Sequence, residues 1–125
     1  MEPFFISYVT LDCPDPETLS KFYLQLLGWE IRHASDEFVS ITSPACTVSL
    51  GFQKNEDYVP PVWPEEPGRQ QQMVHVDFKA KDKEEMKSMV AHALECGARH
   101  AWTQDAELWT VLLDPVGHPF CIDTL

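Results

Sequence analysis

Two side chains of this sequence, His75 and Cys121, are the best suited to chemistry. His75 lies in the segment VHVDF, and Asp77 follows two residues later; residues two apart on a strand share one face. An imidazole can serve as a ligand, a base or a hydrogen-bond donor. A thiol such as that of Cys121 can act as a nucleophile or a metal ligand. We take both residues as candidate catalytic groups.

Each of these two residues also has a structural alternative. A histidine flanked by Val74 and Val76 can be a hydrogen-bonded core residue. A cysteine between Phe120 and Ile122 is most often a small packing residue. Neither alternative is excluded by the sequence. A reactive thiol requires a neighbouring base or positive field, and the sequence does not show whether Cys121 has one. GxGxxG, Walker A, HExxH and GxSxG patterns are absent from the sequence.

Three aromatic residues are candidate ligand contacts. Tyr8 can donate a hydrogen bond to a ligand or pack in the interior. Trp109 begins an alternating apolar segment that is typical of a strand. Trp63 lies in residues 57–72, which hold four of the ten prolines and read as a surface loop. An exposed tryptophan in such a loop would cover a cavity or meet a partner.

The elements that must position these side chains begin with a strand and a helix. The segment ISYVTLDC predicts a strand. Asp15 as N-cap and Pro16 at the first position predict the start of a helix, and Gly28 predicts its end. Three short strand candidates follow, WEIRHA, EFVSIT and TVSLGFQ.

The same order returns in the second half of the chain. MVHVDFKA predicts a strand, Asp82 and Glu85 form a capping box, and Gly97 ends the helix. ARHAWT, ELWTVLLD and PFCIDT complete a second β-α-β-β-β unit. We expect an α+β fold in one domain, residues 1–125, with modules over about 4–56 and 73–124 and a loop over 57–72. One helix covers only one face of each sheet, so the other faces can curve together around a small ligand.

Composition excludes several classes of protein. The 125 residues carry a formal charge of −11, from 20 acidic and 9 basic residues. This balance argues against nucleic acid as a partner, because a nucleic-acid binder needs a basic face. No apolar run approaches the ~20 residues of a membrane span, and the first residues do not resemble a signal peptide. We therefore expect no membrane association, a cytoplasmic location and four reduced cysteines.

Three motifs in order carry a family resemblance: LDCPDPETLSKFYLQLLGWEI, VHVDFKAKD and WTVLLDPVGHPFCI. Together they resemble the vicinal oxygen chelate superfamily, which includes glyoxalase I, bleomycin resistance proteins and extradiol dioxygenases, and above all its glyoxalase-like domain branch. The resemblance implies two βαβββ modules pairing into a cup-shaped mixed sheet. It also implies a homodimer.

The resemblance further implies four positions for a divalent metal, on the first and last strands of each module. In this sequence they are Tyr8, Gly51, His75 and Cys121. A metal used as a Lewis acid needs about three protein ligands and an open position. A phenol and a glycine do not supply them, so we expect no cofactor and no full metal site. Soft Cys and His ligands would suit zinc better than nickel, manganese or iron.

Three functional hypotheses follow. The first is a small-molecule binding protein whose cup is lined by Tyr8, Trp63, His75, Trp109 and Cys121. The second is a metal-dependent lyase or isomerase of the glyoxalase type, acting on a carbonyl compound or a thiol adduct. The third is a partner-binding module that uses the loop around Trp63. The carboxylates missing at Gly51 and Cys121 favour the first hypothesis over the second.

Overall fold

Two units of the same architecture make up the chain, Met1–Tyr58 (unit 1) and Val59–Leu125 (unit 2). They are seen in a computed structural model that describes residues 1–102, 104 and 107–125. None of the helices in these residues is both long and apolar enough to cross a membrane.

Unit 1 is a four-stranded mixed sheet with one helix among its described residues. Its elements are β1 (Tyr8–Cys13), α1 (Pro16–Leu27), β2 (Glu30–Ala34), β3 (Phe38–Ser43) and β4 (Cys46–Lys54). The strand order is β1-β4-β3-β2. β1 pairs with β4 in parallel, and the other two pairs are antiparallel.

Unit 2 repeats this arrangement. Its described elements are β5 (Val76–Lys79), α2 (Lys83–Cys96), β6 (Arg99–His100), β7 (Trp109–Leu113) and β8 (Pro119–Asp123). The order is β5-β8-β7-β6, with β5 and β8 parallel. The predicted α+β fold of two βαβββ modules is confirmed. The pairing of the modules into one cup-shaped domain stays a prediction.

Both helices begin and end where the sequence predicts. The Asp15 carboxylate accepts the backbone N–H of Glu17 at 3.2 Å, and that of Asp82 accepts the N–H of Glu85 at 2.8 Å. Gly28 and Gly97 end the helices in the left-handed conformation, with φ of 67° and 117°. The caps therefore determine the helix limits locally, before any tertiary contact is considered.

Strand β5 is shorter than predicted, because it begins at Val76 rather than Met73. In the parallel register Val76 faces Phe120, so His75 would face Pro119. Proline has no N–H to donate to the ladder, and strand pairing stops at that point. Strand β6 is also shorter, at Arg99–His100; Thr103, the last residue of its predicted span, lies outside the described residues.

The register decides which side chains turn away from each helix. In unit 2, Thr110 lines a shallow groove together with Met86 and Val90 of α2. Its neighbour Val111 therefore points to the opposite face. Val111 and Cys121 are cross-strand partners, and so are Cys121 and Asp77. We call this side, with Asp77, Trp109, Val111 and Cys121, the helix-free face of unit 2.

The helix-free face of unit 1 follows from the same reasoning. Phe52 stacks on Tyr23 of α1, with ring centroids 5.3 Å apart. The preceding residue, Gly51, therefore faces away from the helix. Its cross-strand partners Thr10 and Ser40 lie on the same face.

A side-chain amide extends the edge of the second sheet. Gln104 Nε2 donates to the carbonyl oxygen of Val111 at 2.6 Å. The Val111 N–H in turn donates to Gln104 Oε1 at 2.7 Å. Gln104 thus bonds β7 as a strand residue would, beyond the point where the two-residue β6 ends.

Candidate functional site

Three groups with ligand chemistry converge on unit 2: His75, Asp77 and Cys121. Asp77 and Cys121 face each other across the parallel pair β5–β8. His75 Nε2 lies 3.4 Å from Asp77 Oδ1. One ligand atom from each of the three residues lies within 4.8 Å of the other two. The two candidate catalytic residues are therefore brought together, with a carboxylate between them in sequence.

The three groups differ in their access to solvent. The side chain of His75 is 29% exposed and that of Asp77 is 50% exposed, whereas Cys121 is buried at 4%. Burial raises the pKa of the Cys121 thiol to about 12, and its hydrogen bond to Asp77 and the charges of Asp77 and Asp123 add to the shift. The thiol is thus protonated near neutral pH, which is unfavourable for a nucleophile. A catalytic role for Cys121 stays a prediction.

An aromatic side chain from the proline-rich loop packs on His75. The rings of Trp63 and His75 are 4.8 Å apart and tilted by 31°. Trp102 meets Trp63 edge to face at 5.4 Å. The loop is held in place near its start, where Pro60 packs on Gly117 so closely that an added Cβ on the glycine would lie 3.0 Å from the proline Cβ. Trp63 thus has partners within unit 2 itself.

The other two candidate ligand contacts are Trp109 and Tyr8. Trp109 is 42% exposed and stands opposite Asp123, one row along the helix-free face from the Val111–Cys121 pair. Tyr8 lies in unit 1, where its ring meets that of Phe38 edge to face at 5.9 Å. Ligand contacts by either residue stay predictions.

The four metal positions implied by the resemblance do not fit this chain as a set. Gly51 has no side chain, and the space beside it is filled by Phe38. A Cβ on Gly51 would lie 2.7 and 2.9 Å from two ring atoms of Phe38. A carboxylate could occupy that position only if Phe38 moved. Unit 1 therefore offers a tyrosine hydroxyl and no carboxylate at these two positions.

Two residues of the unit 2 cluster were not among the predicted site residues. Asp77 places a carboxylate beside Cys121, although the implied positions Gly51 and Cys121 themselves carry none. Its signal is the His-x-Asp spacing, which puts both side chains on one face of an extended segment. Trp102 has no comparable signal, because its contact with Trp63 joins two separate loops.

The glyoxalase-like domain family matches residues 8–122. No curated protein matches the chain. Among solved structures, a glyoxalase/bleomycin resistance protein/dioxygenase family enzyme from Burkholderia phytofirmans is 22% identical, with a TM-score of 0.71, and the match covers 94% of this chain and 96% of that one.

Two further solved structures have the same fold. A glyoxalase/bleomycin resistance protein from Albidiferax ferrireducens is 22% identical over 96% of this chain and 98% of that one, with a TM-score of 0.64. Lactoylglutathione lyase from Agrobacterium tumefaciens is 15% identical over 99% of this chain and 96% of that one, with a TM-score of 0.66. With the family match over nearly the whole chain, these likenesses lead to one conclusion: the chain belongs to the glyoxalase-like domain family of the vicinal oxygen chelate superfamily.

Proposed function

We propose that the protein binds a small aromatic molecule with a carbonyl or similar hydrogen-bonding group at the helix-free face of unit 2. The observation that carries this proposal is the tilted packing of the Trp63 ring on that of a partly exposed His75. An indole supplies an apolar surface, and an imidazole beside it can donate or accept a hydrogen bond. Such a combination of apolar wall and few polar groups is typical of small-molecule sites.

The charge of the chain narrows the choice of ligand. Asp77 lies 3.4 Å from His75, and the chain as a whole carries −11. A polyanionic ligand would be repelled, so a neutral or weakly charged compound is the better match. We do not require the thiol of Cys121 to react; it forms part of the buried floor of the site.

The test uses a panel of neutral aromatic carbonyl compounds, with 4-hydroxyacetophenone as the first probe. Binding is followed by NMR through the indole N–H signals. We expect the Trp63 signal to shift, and Trp63→Ala to weaken binding roughly three- to tenfold, the value of one aromatic contact. Trp29→Phe, in unit 1, is the matched control and should leave binding unchanged. A panel in which no compound shifts Trp63 would rule the proposal out.

A second candidate is an enzyme of the glyoxalase type, a lyase or isomerase acting on a carbonyl compound or thiol adduct. The cluster of His75, Asp77 and Cys121 favours it, because Asp77 offers the carboxylate that such proton transfer needs. The test is turnover of a thiol–aldehyde adduct, with and without added Zn²⁺, by the protein and by Asp77→Asn. Turnover that is lost in Asp77→Asn would support the enzyme over the binding protein.

A further inference from the structure

The ligand atoms of His75, Asp77 and Cys121 lie close to the spacing of a zinc site. Zinc bonds nitrogen, oxygen and sulfur at ~2.0–2.3 Å, so the ligand atoms of a tetrahedral site are about 3.4–3.6 Å apart. His75 Nε2 and Asp77 Oδ1 already stand 3.4 Å apart. The full set lies within 4.8 Å. The difference between 4.8 Å and the spacing of a zinc site is small enough for side-chain movement to close it.

The strand framework supplies the rigidity that such a site needs. Asp77 and Cys121 are held as direct neighbours by the β5–β8 ladder. His75 lies just before β5, and Trp63 packs on its ring and restricts its rotation. A ligand ring fixed by its surroundings is a general feature of metal sites.

The donor set also selects the metal. One imidazole, one carboxylate and one thiolate match Zn²⁺, whereas magnesium and manganese favour oxygen ligands. The two negative charges of Asp77 and a deprotonated Cys121 would balance the ion. We propose that unit 2 alone binds Zn²⁺ through His75, Asp77 and Cys121, with the fourth position open to water or another ligand. The thiol proton passes to solvent as the Zn–S bond forms.

This site differs from the one that the resemblance implies. The two sets share His75 and Cys121. The implied set draws on both modules, whereas all three ligands proposed here lie within residues 75–121 of unit 2 and include Asp77, which the resemblance does not assign. The proposal goes beyond the small-molecule site and does not depend on it, because it is tested with the metal alone. Either proposal can therefore fail while the other stands.

The test is a Co²⁺ titration of metal-free protein, followed by absorption. A tetrahedral site with a cysteine ligand gives a thiolate-to-cobalt charge-transfer band together with intense visible d–d bands. We expect both, with one ion per chain that Zn²⁺ displaces. Cys121→Ser should abolish the charge-transfer band. Asp77→Asn and His75→Ala should each weaken Zn²⁺ binding by at least about tenfold, measured by competition with a chelating dye.

The matched control is Cys96→Ser. Cys96 Sγ lies 3.7 Å from His92 Nε2 on α2, and this pair offers a competing cobalt ligand set of only two groups. The charge-transfer band should survive in Cys96→Ser. The proposal is overturned by a band that persists in Cys121→Ser, by a weak octahedral spectrum, or by no spectrum at all. Should Cys121→Ser fail to fold, unchanged affinity in Asp77→Asn, whose side chain is half exposed, would overturn it as well.

Discussion

The two units share a strand order and a register but have different kinds of side chain on their helix-free faces. In unit 1, Thr10 faces Gly51 across the parallel pair, and Phe38 fills the space beside the glycine. At the same place in unit 2, Asp77 faces Cys121. The duplicated framework fixes where a side chain points, while its chemistry is free to change. The ring of Phe38 thus occupies a place in unit 1 where unit 2 has a carboxylate and a thiol.

The largest difference between the two units should be seen in the rates at which their cysteines are labelled in metal-free protein. A pKa raised to about 12 from the ordinary 9.0 leaves Cys121 with roughly 1,000-fold less thiolate near pH 8. We expect Cys121 to react at least about 100-fold more slowly than the exposed Cys46 of unit 1. Mass spectrometry of peptides from a time course separates the two sites. Rapid modification of Cys121 would mean that a neighbouring group activates it.

The same raised pKa has a consequence for stability in alkali. A group whose pKa is higher in the folded state contributes fully below its unfolded pKa, here near 9, and this contribution is lost as pH rises toward about 12. Over that pH range the Cys121→Ser variant should therefore lose less stability than the wild-type chain. The Cys46→Ser variant should lose as much as the wild-type chain. Denaturant melts at a series of pH values measure this, and parallel curves for all three proteins would contradict it.

The next effect concerns Phe38, whose ring fills the space beside Gly51 in unit 1. Gly51→Ala places a Cβ 2.7 Å from the Phe38 ring, so we expect the free energy of unfolding to fall by about 1–3 kcal/mol. Glutamate at the same position should cost more. In a Phe38→Ala background the cost of Gly51→Ala should largely vanish, because the obstructing ring is gone. Additive losses in this double-mutant cycle would show that Phe38 does not occupy the space in solution.

A smaller effect is expected at the helix caps, where the units are alike. Asp15→Ala and Asp82→Ala each remove an oxygen that accepts a backbone N–H of the first turn. Each should cost about 1 kcal/mol of unfolding free energy. Asp15→Asn and Asp82→Asn, which keep a capping oxygen, serve as matched controls. If only one of the two alanine variants loses stability, the helix of the other unit is held by packing alone.

The smallest effect on stability is expected for His75→Ala. The imidazole is 29% exposed and has contacts with Trp63 and Asp77 at one side of unit 2. We expect the unfolding free energy to change by less than about 1 kcal/mol, while binding of the aromatic probe and of Zn²⁺ is weakened. A large fall in melting temperature would instead make His75 a structural residue and weaken both proposals.

The helices could be predicted almost to the residue, whereas the site could be predicted only in part. Asp15, Gly28, Asp82 and Gly97 act within their own turns, so their signals are local. Asp77 and Cys121 are 44 positions apart in the sequence, and their pairing depends on strand register, which no local pattern reveals. The early end of β5 follows from Pro119 on another strand for the same reason.

Phe38 is the clearest case of a feature hidden from the sequence. Its position relative to Gly51 arises from the diagonal packing of neighbouring strands, with Phe38 opposite Gln53 rather than Gly51. A missing ligand at Gly51 is visible in the sequence, but the ring that takes its place is not. Tertiary packing thus supplies the information that a residue-by-residue comparison lacks.

The amide of Gln104 has a further consequence for how this chain behaves among its own copies. It bonds both backbone groups of Val111, whose carbonyl oxygen also accepts the N–H of Ala101 at 3.2 Å, so these two groups are already paired within the chain. Because a single glutamine side chain bonds these backbone groups where β6 has ended, they are not available to pair with the edge strand of another copy of the chain.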